Sequence, residues 1–209
     1  MTQRQEKIIQ QSITLFNEKG VSNVKISDIT VALDISLGNL TYYYKTKRGL
    51  ITSILDVMVK DRANLLSTSE QLLAAGKWID LIKSYLIFQL KYSFFYRDIL
   101  DLNRLNDTAK LLYETEVNNV IRFNKNSIIM SISKGFIKSE PITGLYDGVA
   151  ANTWAIHQAW FIKRAIFGAN KVTMDEPIRA IMNLYYPFLT PKGLEEMSKI
   201  NHQENIIEI

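Results

Sequence analysis

Residues 25–51 read KISDITVALDISLGNLTYYYKTKRGLI, and this stretch decides the fold. Ile26, Ile29 and Ala32 recur at the spacing of one helix face and predict a short helix over about 26–33. Ser36 can accept from the orphan N–H groups of a second helix, about 37–43. Asp34 stands at the turn between them, where a residue tolerating left-handed φ is wanted, and Ile35 plugs the space between the helices. Helices this short cannot each bury enough surface to stand alone. Joined by a tight turn and packed on a preceding helix, they form a helix-turn-helix. On the second helix Leu40 and Tyr44 lie four apart and face inward, which leaves Leu37, Gly38, Asn39, Thr41, Tyr42 and Tyr43 outward. Gly38 inside a helix costs about 1 kcal/mol relative to alanine. That cost makes sense where something large must approach the backbone.

The outward residue types suit a DNA major groove. Asparagine can pair bidentately with adenine, threonine can bond a base or touch a thymine methyl, and tyrosine hydroxyls reach phosphates. Lys45, Lys47 and Arg48 follow at once. Lys47 sits near the start of the next helix, whose free N–H groups also favour a phosphate. Net charge agrees in placement: residues 1–60 carry eight Lys/Arg against five Asp/Glu, most of the chain's +4.

Outward from this stretch the pattern stays helical. A first helix, about 3–19, puts Ile8, Ile9, Ile13 and Phe16 on one face. A helix of about 47–74 starts after Thr46 and carries Leu50, Ile54, Leu55, Met58 and Val59. Further helices are expected over about 77–97, 98–104, 107–135, 142–168, 175–188 and 191–203, with the tail NHQENIIEI frayed. Gly20, Gly76, Gly135 and Gly168 mark stops, Asp175 is a cap, and Pro177 and Pro191 lie just inside helix starts. No stretch shows strand alternation bounded by turn dipeptides. The fold class is therefore all-α.

Composition closes off other classes. Of 209 residues 47% are hydrophobic, enough for a core, and none is cysteine, which excludes disulfides, thiolate metal sites and a cysteine nucleophile. His157 and His202 are the two histidines, too few for a multi-histidine metal centre. There is no nucleophile–base spacing, GxGxxG or P-loop, so neither an enzyme nor a cofactor is expected. Glu114 and Glu116 read as a solvated helix face. No apolar run is long enough for a membrane helix, and the N-terminus lacks a secretory pattern, so the expected compartment is the cytoplasm.

Residues 34–50 closely resemble the recognition region of tetracycline-repressor (TetR/AcrR) family regulators, typically Gly-Val-Ser-x-Gly-x-Leu-Tyr-Tyr-Tyr/His-Phe-x-x-Lys-x-x-Leu. Ser36, Gly38, Leu40, Tyr42, Lys47 and Leu50 match directly, and Ile35 and Tyr44 conservatively. Asp34 stands where the family often has glycine, Thr41 replaces a usual tyrosine, and Lys25 replaces the usual Thr/Ser cap. Lys25 could bind phosphate itself, and Ser27 could supply a substitute contact. The resemblance implies an N-terminal three-helix DNA-binding domain, about 1–48, and a C-terminal helical ligand-binding and dimerisation domain, 49–209, connected by helix 47–74. It implies DNA contacts from Lys25, Ser27, Ser36, Leu37, Gly38, Asn39, Thr41, Tyr42, Tyr43 and Lys47.

A homodimer on a palindromic operator is also expected physically, because one recognition helix reads few bases. The segment 145–168 is apolar on most of its circumference, and 175–188 has a similar excess. Gly148, Ala151, Ile178, Met182 and Tyr185 are the dimer candidates; in the resembling family these helices form a four-helix bundle across the two-fold axis. The aromatic residues Tyr85, Phe88, Tyr92, Phe95, Trp154, Trp160 and Phe161, with His157 among the rings, are either core or the walls of a small-molecule pocket. Arg97, Asp98, Asp101 and Arg104 are either surface pairs or a link to the DNA-binding part.

Overall fold

A computed structural model describes residues 1–75, 77–168 and 173–201. Gly76 and residues 202–209 lie outside the described residues, as do the stop expected at Gly76, the frayed end of the tail and His202. Among the described residues there is no β-strand. Eleven α-helices run in order: α1 (Gln3–Lys19), α2 (Ile26–Leu33), α3 (Leu37–Tyr43), α4 (Lys47–Ala74), α5 (Trp78–Lys91), α6 (Ser93–Arg97), α7 (Ile99–Leu105), α8 (Asp107–Ser133), α9 (Leu145–Phe167), α10 (Asp175–Tyr185) and α11 (Pro191–Asn201). A 3-10 turn, Tyr186–Phe188, follows α10. Among the described residues no helix is long and apolar enough to cross a membrane.

The chain forms two compact units, Met1–Glu70 with Ile87–Glu114, and Gln71–Leu86 with Thr115–Ile209. The unit that holds the helix-turn-helix thus extends well beyond residue 48. Its core is built from Ile8, Ile9, Ile13, Leu15 and Phe16 of α1, Ile29 of α2, Leu40 of α3, and Leu50, Ile51, Ile54 and Leu55 of α4. Phe94 of α6 joins it, its ring 5.5 Å from that of Phe16. Ala32, read as part of the buried face of α2, is exposed, and Thr30 is buried with Ile29 instead. Val59 likewise lies on the exposed side of α4.

Local chemistry fixes the early boundaries. Thr2 and Gln5 form a reciprocal capping box at the start of α1. Asp34 adopts the left-handed conformation, φ 51° and ψ 53°. Its N–H donates to the Val31 carbonyl at 3.2 Å and the Ile35 N–H to that of Thr30 at 3.0 Å, which closes α2 in a Schellman motif.

The long aromatic helix read over 77–97 is broken. Tyr92 leaves helical geometry at φ −115° and ψ 36°, so α5 and α6 are separate. Distant partners hold the break. The Tyr92 hydroxyl donates to Asp61 Oδ2 at 2.6 Å, and the Phe94 N–H donates to Asn17 Oδ1 at 2.9 Å. Burial, and then this bond to a carboxylate, push the Tyr92 phenol pKa up.

In the second unit Ile128, Ile137, Tyr146, Val149 and Ala150 form a core, lined by Ile121, Ile132, Leu184 and Leu189. A short antiparallel bridge pairs Ile137 with Leu189, and Thr190 N–H donates to the Phe136 carbonyl at 3.0 Å. Gly193 follows against the same carbonyl. A Cβ there would lie 2.1 Å from Phe136 O, so no other residue fits. Glu116, read as part of a solvated face, is buried, and its Oε1 accepts from the Tyr85 hydroxyl at 3.2 Å.

Candidate nucleic-acid interface

Helix α3 is oriented by two anchors. Leu40 is 0% exposed, and Tyr44, just past the helix end, is buried as well. Burial raises the Tyr44 phenol pKa, partly offset by a hydrogen bond with Ser53. Ser36 Oγ accepts from the Asn39 N–H at 3.2 Å and so caps the helix. With the inward side fixed, the rest of α3 turns out to solvent: Tyr42 is 81% exposed and Leu37 57%. Gly38 and Asn39 are exposed, while Thr41 and Tyr43, expected to lie fully outward, are half-buried. The Tyr42 and Tyr43 rings meet edge to face at 5.1 Å, which accounts for part of that cover. Among the described residues nothing demands a glycine at Gly38, because a Cβ would meet only Ser36 Oγ, at 4.0 Å.

The start of α2 lies beside this face in sequence. Lys25 and Ser27 are exposed. No side-chain oxygen caps the start of α2, and Asp28 Oδ2 accepts from the N–H of Lys25, the cap residue itself, at 2.7 Å.

The cations differ in freedom. Lys45 is exposed. Arg48 is paired with Asp107. Lys47, expected at a phosphate, turns its ammonium inward: Nζ donates to the Val21 carbonyl at 2.5 Å and lies 5.9 Å from the Phe16 ring centroid. Burial lowers its pKa, against a nearby Asp28 that raises it.

Sequence reasoning left Arg97 and Asp98 undecided, and the structure separates them from Asp101 and Arg104. Arg97 Nη2 and Nη1 donate to the carbonyls of Phe16 and Asn17 at 2.9 and 2.8 Å. Asp98 Oδ2 accepts from the Val21 N–H at 2.9 Å. The pair thus satisfies the last carbonyls of α1 and the turn after it, and tethers α6 to the helix-turn-helix. The Asp98 carboxylate raises the Arg97 pKa further. Asp101 and Arg104 form an exposed pair at 3.6 Å. Asn17 completes the tether, its Nδ2 donating to the Lys91 carbonyl at 3.0 Å. Its contacts lie more than seventy residues away in sequence, so no local signal marks it.

The aromatic candidates divide between the two units. Phe88, Tyr92 and Phe95 are buried in the first. In the second, the Tyr85 ring stands edge-on to His157 at 5.2 Å, Trp160 and Phe161 are buried in edge-to-face contact, and Trp154 is half-buried. Trp160 Nε1 donates to the Thr173 carbonyl at 3.0 Å. His157 is buried deeply enough that desolvation lowers its pKa to about 4, so the ring is neutral at pH 7.

The dimer candidates also differ among themselves. Gly148 is exposed and Ala151 and Met182 are half-buried, whereas Ile178 is buried in its own chain. The Tyr185 hydroxyl shares a 3.1 Å hydrogen bond with Thr153. The open side of α9 carries Gly148, Asn152, Ala155, Ala159, Ile162 and Ile166. Their alternating four-and-three spacing was the available signal, hidden because the other faces of α9 are apolar too.

Two family descriptions match the chain, "Bacterial regulatory proteins, tetR family" over residues 8–54 and "Bacterial transcriptional repressor" (TetR) over residues 58–197. The chain belongs to the tetR family of bacterial transcriptional regulators, whose members bind DNA through the helix-turn-helix. A Bacillus subtilis (strain 168) protein named "Probable HTH-type transcriptional regulator YttP" is 30% identical over 64 residues, a match spanning 31% of either chain. A TetR-family transcriptional regulator from Marinobacter aquaeolei VT8 has the same fold, with a TM-score of 0.80, 21% identity, and coverage of 96% of this chain and 98% of that one. A structure from Saccharomonospora viridis in complex with choline superposes with a TM-score of 0.59 at 14% identity, covering 97% and 98%.

Proposed function

We propose that the chain is a homodimeric repressor that reads a palindromic operator and leaves it on binding a small, largely apolar or aromatic effector. The observation that carries the reading is the two-sided α3. Leu40 and Tyr44 are sealed in the core, while Leu37, Gly38, Asn39 and Tyr42 stand open beside exposed Lys25, Ser27 and Lys45. Open tyrosine and leucine at these levels lose nothing on folding and gain their use against a groove. Ser36 sets the start of the helix, and Thr41 and Tyr43 frame its edge. Lys47 acts chiefly by holding the helix-turn-helix on α4, with the α4 N-terminus left for a phosphate.

Dimerisation is supported by the open face of α9, where Ile162 is 58% and Ile166 72% exposed beside small Gly148, Ala155 and Ala159. Small residues along the first part of the face, with branched ones following, allow two helices to approach closely. Ala151 and Met182 flank such a contact, and Ile178 and Tyr185 support it from within the chain. Effector binding is supported by the second unit's aromatic residues, where the Tyr85 ring stands edge-on to the buried His157, Trp160 meets Phe161 edge to face and Trp154 is half-buried; Phe88, Tyr92 and Phe95 belong to the core of the first unit. The Saccharomonospora viridis neighbour is in complex with choline, a small organic molecule, which supports the effector reading. Any effector acts only by its differential affinity for the DNA-bound and free states.

Selection of genomic fragments on the purified protein tests the reading. The expected result is a two-fold site whose half-sites lie about one helical turn or a multiple apart. Affinity should fall steeply with salt. Tyr42→Ala should lose it without loss of folding. Sequence-blind binding, unchanged by Tyr42→Ala in protein freed of co-purifying small molecules, would overturn the reading.

A further inference from the structure

We propose that each half of the operator is centred on A·T base pairs, read by the Asn39 carboxamide and by the methyl group of Thr41. This rests on the regulator reading above and takes it to the sequence of the partner. The argument begins with a hydroxyl that is already committed. Thr41 Oγ1 donates to the Leu37 carbonyl at 3.0 Å, with the Gly38 carbonyl also near at 3.2 Å. A hydroxyl has one hydrogen. With that hydrogen directed back along the helix, Thr41 has none to give to the N7 and O6 acceptors of guanine. What is left to it is its oxygen as an acceptor, which adenine N6–H can meet, and its methyl group, whose natural partner in the major groove is the C5-methyl of thymine.

The neighbouring positions agree. Leu37 can offer only apolar contact, again suited to a thymine methyl. Gly38 has no side chain and no internal packing to satisfy, so the helix can approach the base edges closely. Asn39 is exposed, and among the described residues its carboxamide takes part in no hydrogen bond; the 3.2 Å bond at Ser36 uses its backbone N–H. An amide presents one donor and one acceptor side by side, the complement of adenine N6 and N7. Guanine is most often read by arginine or lysine, and α3, LGNLTYY, holds neither. The domain's cations lie off this helix. Lys25 starts α2, Lys45 follows α3, Lys47 is held on Val21, and Arg48 is paired with Asp107. Lys25 and Lys45, both exposed and flanking the recognition helix, are placed to serve the phosphate backbone, which carries no sequence information.

The test is selection of the full-length protein on random duplexes, followed by thymine-to-deoxyuridine exchange within the enriched half-site. Adjacent A·T pairs are expected at its centre. Removing the thymine methyl should weaken wild-type binding several-fold. Thr41→Ser keeps the hydroxyl and its backbone bond but lacks the methyl, and should shrink the difference between the thymine and uracil duplexes to what Leu37 contributes. Asn39→Ala should lose on the order of ten-fold on the adenine-bearing site and much of its preference there. A half-site centred on G·C, or wild-type binding indifferent to the exchange, overturns the A·T assignment while leaving the regulator standing. Selection that enriches no sequence at all overturns both.

Discussion

Helices α3 and α9 each show one face to the core and one to solvent, but they write that division in different alphabets. In the seven residues of α3 the inner side is Leu40 with Tyr44 behind it, and the outer side is one leucine among glycine, amide, hydroxyl and phenol. In the twenty-three residues of α9 the inner side is Tyr146, Val149, Ala150, Thr153, His157, Trp160 and Phe161, and the open side is glycine, alanine and isoleucine with one asparagine. A face meant for DNA is chemically unlike a core. A face suited to another helix is made of the same residues as a core. Sequence pattern can therefore orient the first kind of helix and not the second.

The comparison breaks first, and with the largest effect, at the anchors. Leu40→Ala removes a fully buried side chain from a small three-helix core and should cost about 2–5 kcal/mol in urea or thermal unfolding. DNA binding should fall with it. If Leu40→Ala proved as mild as a substitution at Tyr42, the two-sided description of α3 would be wrong.

The matching inner position on α9 is His157, and it can be tested by pH. Its pKa is about 4 in the folded chain against 6.5 for the unfolded group. Below pH 6.5 the unfolded chain takes up the proton first, so stability falls as pH drops from 6.5 to about 4 and is then independent of this group. The loss should total about 3 kcal/mol, from the linkage of roughly 1.36 kcal/mol per pKa unit. His157→Gln should flatten the stability profile between those limits. A wild-type profile already flat there would mean that the ring is solvated.

What was legible follows the reach of the chemistry. Helices α1 to α4 begin and end where the sequence says, because Thr2, Ser36, Asp34 and Thr46 act on backbone groups two to four residues away. The break at Tyr92 was not legible, because it is held by Asp61 and Asn17. Arg97 and Asp98 were visible as charges beside aromatics, but their target, the end of α1, lies some eighty residues away. Glu116 misled for the same reason: a carboxylate on a helix reads as solvated until the hydroxyl of Tyr85 is placed against it. Of the six residues read as outward on α3, Leu37, Gly38, Asn39 and Tyr42 are exposed and Thr41 and Tyr43 half-buried, and the inward turn of the Lys47 ammonium was not legible. A flexible lysine stem reaches either solvent or Val21, and the sequence does not rank the two.

Lys47 accordingly sharpens the comparison at intermediate size. Lys47→Met keeps the stem and removes the donor to the partly buried Val21 carbonyl. A loss of about 1–3 kcal/mol in unfolding free energy is expected, the usual cost of leaving such an acceptor without its partner. The salt slope of DNA affinity should change little. A side chain bound mainly to phosphate would give the reverse, unchanged stability with the slope shallower by about one.

The smallest effect on folding is expected on the outer side of α9. Ile162→Asp with Ile166→Asp places two carboxylates where the side chains are already mostly in water, so within a single chain the double change should cost no more than about 0.5 kcal/mol per site. Between two chains the consequence is large, because like charges would meet across an apolar contact. Sedimentation should show wild type at twice the chain mass and the double variant at the chain mass, with the helical signal unchanged. Operator affinity should then fall to that of one half-site, although α3 is untouched. A variant that remains dimeric would move the interface off this face and leave its exposed isoleucines needing another explanation. A variant that unfolds would show that the outer side of α9 is part of the core, and the contrast with α3 would disappear.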